Sequence, residues 1–204
     1  VKDTAGNNAT LTHSAVSDNS NYKVDTIHPT VNSTGITSAT GRQNNFVNAG
    51  DVVSVTGTFS ETVLVPSGSP TFTLAVGSDN RTATYTSGSG SAPLVFGYTI
   101  QAGDNDTNGI SIGANAIAFN SGSITDLAGN LANDLTHSSV TDNAEYKVDT
   151  TAPSVNSFTM SDTALKVGDN ATVGLVFSET VCTVSASCGA VVFSNADITV
   201  ANGS

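Results

Sequence analysis

The chain of 204 residues has no tryptophan, one methionine, two cysteines and only six basic residues. Six Lys and Arg against seventeen Asp and Glu leave a net charge of −11, which repels phosphate backbones and anionic lipid. Nucleic acid is therefore not an expected partner, and neither is membrane insertion. No apolar run approaches the ~18 residues of a membrane span, and no stretch reads as a signal peptide. Leu, Lys, Glu and Arg are too sparse for a helical protein, and no segment carries an apolar period of 3.6 residues. The three histidines and two cysteines form no cluster with zinc spacing. Cys182 and Cys188 lie close enough to close a small disulfide loop in an oxidising compartment, and equally can remain thiols.

What remains is a chain 38% apolar, the balance filled by Ser, Thr, Asn, Asp and 19 glycines. That composition is too apolar for disorder. Alternation of apolar and polar residues, broken by Gly/Asn/Ser turns, predicts strands near 30–36, 51–60, 69–77, 81–87, 93–101, 110–119 and 140–149. Val53 and Val55 alternate with Ser54 and Thr56, and Phe72, Leu74 and Val76 with Thr71, Thr73 and Ala75, so each strand has one core face. The connection 119–139 is long enough to be a loop with a job.

The chain also repeats itself. "NYKVDTIHPTV" (21–31) returns as "EYKVDTTAPSV" (145–155), and the match extends back to "DTAGN" (3–7) and "DLAGN" (126–130). A second pair links "GDVVSVTGTFSETV" (50–63) with "GDNATVGLVFSETV" (168–181). The order of these blocks predicts the closing strands of one repeat at 1–26, a complete repeat at 27–150 and the front of another at 151–204, a piece of a longer array of stacked modules. Seven short antiparallel strands in one repeat predict an all-β fold of tandem immunoglobulin-like sandwiches.

Strand parity then places three distant motifs together. If the strands alternate up and down, the end of the second strand with Glu61 and the loop after the sixth with Asp126 and Asn130 both return to the end where the linker delivers Asp25. Carboxylates gathered there repel one another, and a divalent cation with oxygen ligands is the simplest remedy. Each motif taken alone also reads as ordinary turn chemistry, because aspartate caps loop N–H groups. Asp51 and Asp169 in the "GD" pairs are expected to be turn residues. Asp104 and Asp106 in "GDND" (103–106) read as a solvated turn, or as further ligands at a second junction.

The combination of "VDTTAP", "GD…FSETV" and D-x-AGN, in this order over essentially the whole chain, resembles the tandem bacterial immunoglobulin-like repeats of large adhesins exported by type I secretion. The resemblance implies Ca2+ at the junctions between repeats, held by Asp25, Glu61, Asp126 and Asn130 at the first and by Asp149 with Glu179 at the second. Asp3 and Asn7 match the motif in the partial first repeat. It further implies a non-catalytic spacer on the bacterial cell surface that supports adhesion or biofilm formation. Its partners would be the neighbouring repeats, with any host or matrix receptor bound elsewhere in the parent protein. The alternative is a module that binds a carbohydrate or a protein, or an accessory domain of a secreted polysaccharide-degrading enzyme. Sugar sites usually display aromatic rings, and this chain has only four Tyr and eight Phe, most of the Phe on apolar strand faces.

Overall fold

The computed structural model describes residues 1–162 and 164–181. Within them the chain forms β1 (Val31–Ala39), β2 (Phe46–Val47), β3 (Val52–Ser67), β4 (Thr71–Val76), β5 (Asp79–Ser87), β6 (Ser91–Thr99), β7 (Asn105–Asp106), β8 (Ile117–Ala118), β9 (Ser123–Thr125), β10 (Lys147–Asp149), β11 (Val155–Met160) and β12 (Val173–Phe177). The largest sheet runs β1-β3-β6-β5-β4-β8, with β9 added to the far half of β3; a second runs β2-β10-β7, and β11 pairs with β12 alone. All pairings are antiparallel except β2 with β10. The fold is thus all-β, with no helix among the described residues.

The alternation in sequence sets the core. Val53, Val55, Phe72, Leu74 and Val76 are buried, together with Leu94 and Phe96 of β6 and Val47 and Val148 of the smaller sheet. Both sheets therefore contribute to one apolar cluster, the arrangement of a β-sandwich. Phe72 meets Phe96 edge to face at 5.2 Å. His137 joins this core by hydrogen bonds: its Nε2 accepts from the Ala116 N–H (2.8 Å) and its Nδ1 donates to the Ser138 carbonyl (2.8 Å).

Within residues 27–150, three strands, β2, β7 and β9, are not among those predicted; two or three residues are too few to show alternation. Conversely, the predicted strand 110–119 is mostly bridges, Ala75 to Ser111 and Ile112 to Val140, before the short β8. β3 runs seven residues past its predicted end, so Glu61 lies within a strand. The ladder to β6 jumps from Thr58↔Pro93 to Val63↔Ser91, which leaves Glu61 in an irregular stretch. Residues 1–30 form no strand, only isolated bridges, Lys2 with Asn8 and Thr30 with Asp134. Cys182 and Cys188 lie outside the described residues.

The "GDND" stretch differs most from its reading as a solvated turn. Asp104 and Asp106 are both buried, at 1% and 4% exposure. Asp104 accepts hydrogen bonds from the Tyr98 hydroxyl (2.5 Å), the Gln101 N–H (2.9 Å) and Arg81 Nε (2.7 Å), with which it also forms an ion pair. Asp106 accepts from the N–H groups of Gly77 (2.8 Å), Asn108 (3.3 Å) and Gly109 (2.7 Å), joining the β4–β5 turn to the following loop. Gly77 is required there: at φ +59°, a Cβ would stand 2.3 Å from the Asn105 carbonyl oxygen.

Burial works to raise the Asp104 carboxyl, but its bonds to Tyr98, Gln101 and Arg81 outweigh burial and hold it below the usual range. Burial first and the Asp104 hydrogen bond second push the Tyr98 hydroxyl up to about 12. Since the folded Asp104 value lies below the unfolded one, its contribution is present above about pH 3.9 and is lost as pH falls through the folded value. Asp104→Ala, which strands the Tyr98 hydroxyl and Arg81, should lower stability by about 3 kcal/mol in urea unfolding at pH 7. The deficit should narrow as the pH is taken below about 3.9.

Candidate metal centre

The segment before β1 meets β3 at its irregular stretch. The Thr30 N–H donates to Ser60 Oγ (3.0 Å) and the Ser60 N–H donates to the Thr30 carbonyl (2.8 Å). This reciprocal pair lays the linker beside Glu61. From the other side, β9 pairs with the far half of β3 at Leu64↔Thr125, which carries the next residue, Asp126, towards the stretch of β3 that holds Glu61.

Asp126 opens a tight loop closed by its own side chain. Its Oδ1 accepts from the Asn130 N–H (2.7 Å) and its Oδ2 from the Asn130 side-chain amide (2.7 Å). Gly129 at φ +95° makes the turn possible. The same Asn130 amide also donates to the carbonyls of Asp25 (3.1 Å) and Ile27 (3.3 Å), so it ties the linker to the loop. Asp25 Oδ1 in turn accepts from the Ile27 N–H (3.0 Å).

The outcome is a cluster of three carboxylates. Ligand oxygens of Asp25, Glu61 and Asp126 all lie within 4.8 Å of one another. Asp126 is buried, Glu61 half-buried and Asp25 exposed. None of the ion pairs among the described residues involves any of the three. Burial first, then repulsion from Asp126 and Asp25, pushes the Glu61 carboxyl above its usual range. Burial likewise works to raise Asp126, but the Asn130 side-chain amide and the N–H groups of Asn130, Gly129 and Ala128 outweigh it and hold that carboxyl low. Asp126 thus stays ionised while Glu61 bears the repulsion.

The donor set fits a hard divalent cation. Calcium–oxygen bonds of about 2.3–2.6 Å let one ion touch oxygens up to ~5 Å apart, and carboxylates are preferred ligands. The Asn130 side-chain amide N–H group faces Asp126 and the linker carbonyls, and so braces them.

The second junction repeats part of this pattern. Asp149 Oδ1 accepts from the Thr151 N–H (2.9 Å), as Asp25 does from Ile27. Ser154 and Ser178 form the reciprocal pair seen at Thr30 and Ser60, at 2.9 and 2.8 Å. Asp149 and Glu179 line one cleft with Thr151 and Phe46, and Glu179 Oε1 is buried without a hydrogen-bond partner. No third carboxylate joins them among the described residues.

Elsewhere the repeated motifs are self-contained turns. Asp3 and Asn7 form the same loop as Asp126 and Asn130, with Asn7 N to Asp3 Oδ1 at 2.8 Å and the Asn7 amide to Oδ2 at 2.9 Å. Asp51 caps the Asn48 N–H (2.9 Å) and Asp169 the Lys166 N–H (3.2 Å), the turn role expected of both. The serine clamp was not among the predicted site residues, although its signal was present: both copies place Ser in "FSE", whose hydroxyl accepts from the backbone N–H of Thr30 or Ser154. Comparison with known protein families, with curated proteins and with solved structures finds no match for the chain.

The raised Glu61 value has a definite sign. The charged form is disfavoured by folding, so the contribution of Glu61 is fully present below the ordinary glutamate value of about 4.3 and is lost as pH rises through the raised folded value. In chelator at pH 7, Glu61→Gln should therefore melt at a higher temperature than the unsubstituted chain. Thermal unfolding near pH 4 should show the two melting together.

Proposed function

We propose that this chain is a spacer of a bacterial surface adhesin: tandem immunoglobulin-like repeats, displayed outside the cell, whose junctions are stiffened by Ca2+ and which carry out no catalysis. The observation that carries the reading is the convergence of Asp25, Glu61 and Asp126, from three segments far apart in sequence, where the linker meets the complete repeat. Supporting it, β11 and β12 reproduce the start of the central repeat: Val31↔Phe59 and Val155↔Phe177 hold the same place, with the same slip two residues later. The two linkers carry the same aspartate turn and the same serine clamp.

At such a junction a bound cation supplies positive charge between carboxylates that otherwise repel. The chain's own residues do the rest. Asn130 positions the linker carbonyls, Thr30 and Ser60 hold the linker against β3, and Pro29 and Pro153 limit the backbone freedom of the two linkers. Attraction of Asp25 to the same ion as Glu61 and Asp126 joins linker to repeat, which converts a pivot into a stiff joint. A surface rod built this way would hold a receptor-binding region away from the cell, and the extracellular modules that use calcium structurally bind it at about 10⁻⁴–10⁻³ M.

One millimolar calcium should raise the melting temperature of the chain over that in excess chelator, by an amount equivalent to roughly 0.4–1.4 kcal/mol for a dissociation constant of about 10⁻³–10⁻⁴ M. Glu61→Gln should remove that difference. Small-angle scattering should show the maximum dimension increasing, or its spread narrowing, with the ion. If chelation changes neither melting temperature nor length, the spacer reading fails.

A further inference from the structure

The exit linker is fixed to the repeat it leaves before it reaches the next unit. Val148 and Asp149 pair antiparallel with Asp106 and Asn105, and Val148 is buried. Thr150 then makes two hydrogen bonds through one hydroxyl. Its Oγ1 donates to the Asp104 carbonyl (2.9 Å) and accepts from the Gly103 N–H (3.0 Å). Threonine suits this place, because its branched Cβ restricts χ1 and so ties the direction of the backbone to that of the hydroxyl. The same residue recurs as Thr26 in the first "VDT".

The loop that receives Thr150 is itself well braced. The Asp104 N–H donates to the Gln101 carbonyl (3.1 Å), and the Asp104 carboxylate accepts from the Gln101 N–H, the Tyr98 hydroxyl and Arg81. Arg81 of β5 and Tyr98 of β6 thus hold Asp104, and the Asp104 carbonyl holds Thr150. Downstream, the linker is taken up at Ser154 through its reciprocal pair with Ser178. Only Thr151, Ala152 and Pro153 lie between the two attachments. The Thr151 N–H is capped by Asp149 (2.9 Å), while Pro153 has a fixed φ and disfavours helical backbone at Ala152.

We infer that Thr150 is the positioning residue of the exit joint: with Gly103 and Asp104 it forms a clamp that needs no cation and leaves the pivot to Thr151 and Ala152. The clamp rests on the spacer reading only for what a stiff joint does. Its own bonds involve none of the carboxylates placed in the two candidate metal sites. The joint then has two parts. Thr150 fixes the upstream half of the linker permanently, and a cation at the junction acts on the freedom that remains beyond it.

The test is nuclear magnetic resonance of the 204-residue chain in excess chelator, so that its outcome is independent of the calcium reading. Residual dipolar couplings of backbone N–H groups report how closely β11 and β12 keep their direction relative to the central repeat. Thr150→Val keeps the branched shape and loses the hydroxyl. It should reduce the couplings of β11 and β12 relative to those of the central repeat, whose own amide shifts should stay in place. Thr150→Ser should restore most of that loss. The Gly103 amide should exchange with solvent faster in Thr150→Val than in the unsubstituted chain. The proposal is overturned if Thr150→Val leaves the β11 and β12 couplings unchanged, if Thr150→Ser behaves as Thr150→Val does, or if Gly103 exchanges equally fast in both chains. Loss of the central repeat's own amide shifts in Thr150→Val would overturn it too, since Thr150 would then support the core and not the joint.

Discussion

The reciprocal hydrogen bonds between Thr30 and Ser60 hold the linker to the repeat, and the geometry of the junction depends on them. They form where β3 breaks its ladder to β6, between Thr58 and Val63. A regular strand there would spend its backbone groups on β6. The irregularity frees Ser60 to receive the incoming chain and lets the far half of β3 pair with β9 instead, which delivers Asp126. One local departure from the sheet therefore gathers three carboxylates, and the same reciprocal hydrogen bonds recur between Ser154 and Ser178.

The chain contains two ways of placing carboxylates in the fold, and they contrast. Asp104 and Asp106 are satisfied internally, the first by Arg81 and Tyr98 and the second by three backbone N–H groups. Such carboxylates stiffen a fold and have no call on a ligand. Asp25, Glu61 and Asp126 form no ion pair among the described residues, and Glu61 is held above its usual range by burial and by its two neighbours. With so few basic residues in the chain, neutralisation at the junction falls to solvent or to a cation. The difference between the two sites is one of partners and not of residue type.

Much of this was legible in the residues because it rests on period and repetition. Alternation at Val53, Val55, Phe72, Leu74 and Val76 marked the core, and parity of strand direction placed Asp25, Glu61 and Asp126 at one end. Other features have no such period. β2, β7 and β9 are too short to alternate, and their partners are fixed by tertiary packing. Asp104 and Asp106 read as solvated because four residues of Gly, Asp and Asn look the same in an open turn and in one pinned under Arg81 and Gly77; only the fold brings those donors near. Asn130 lies beside the cluster, and which end of its amide faces the carboxylates depends on the linker carbonyls of Asp25 and Ile27, a contact about a hundred residues away in sequence.

The central claim is that the three junction carboxylates form one site for a divalent cation. Isothermal titration of calcium into the chelator-stripped chain at neutral pH tests it most directly, with magnesium in parallel and with Glu61→Gln as the control. The account expects saturable calcium binding at about 10⁻⁴–10⁻³ M, weaker response to magnesium, and loss of the signal in Glu61→Gln. Binding of equal strength in Glu61→Gln, or none at several times that concentration in the unsubstituted chain, would contradict it.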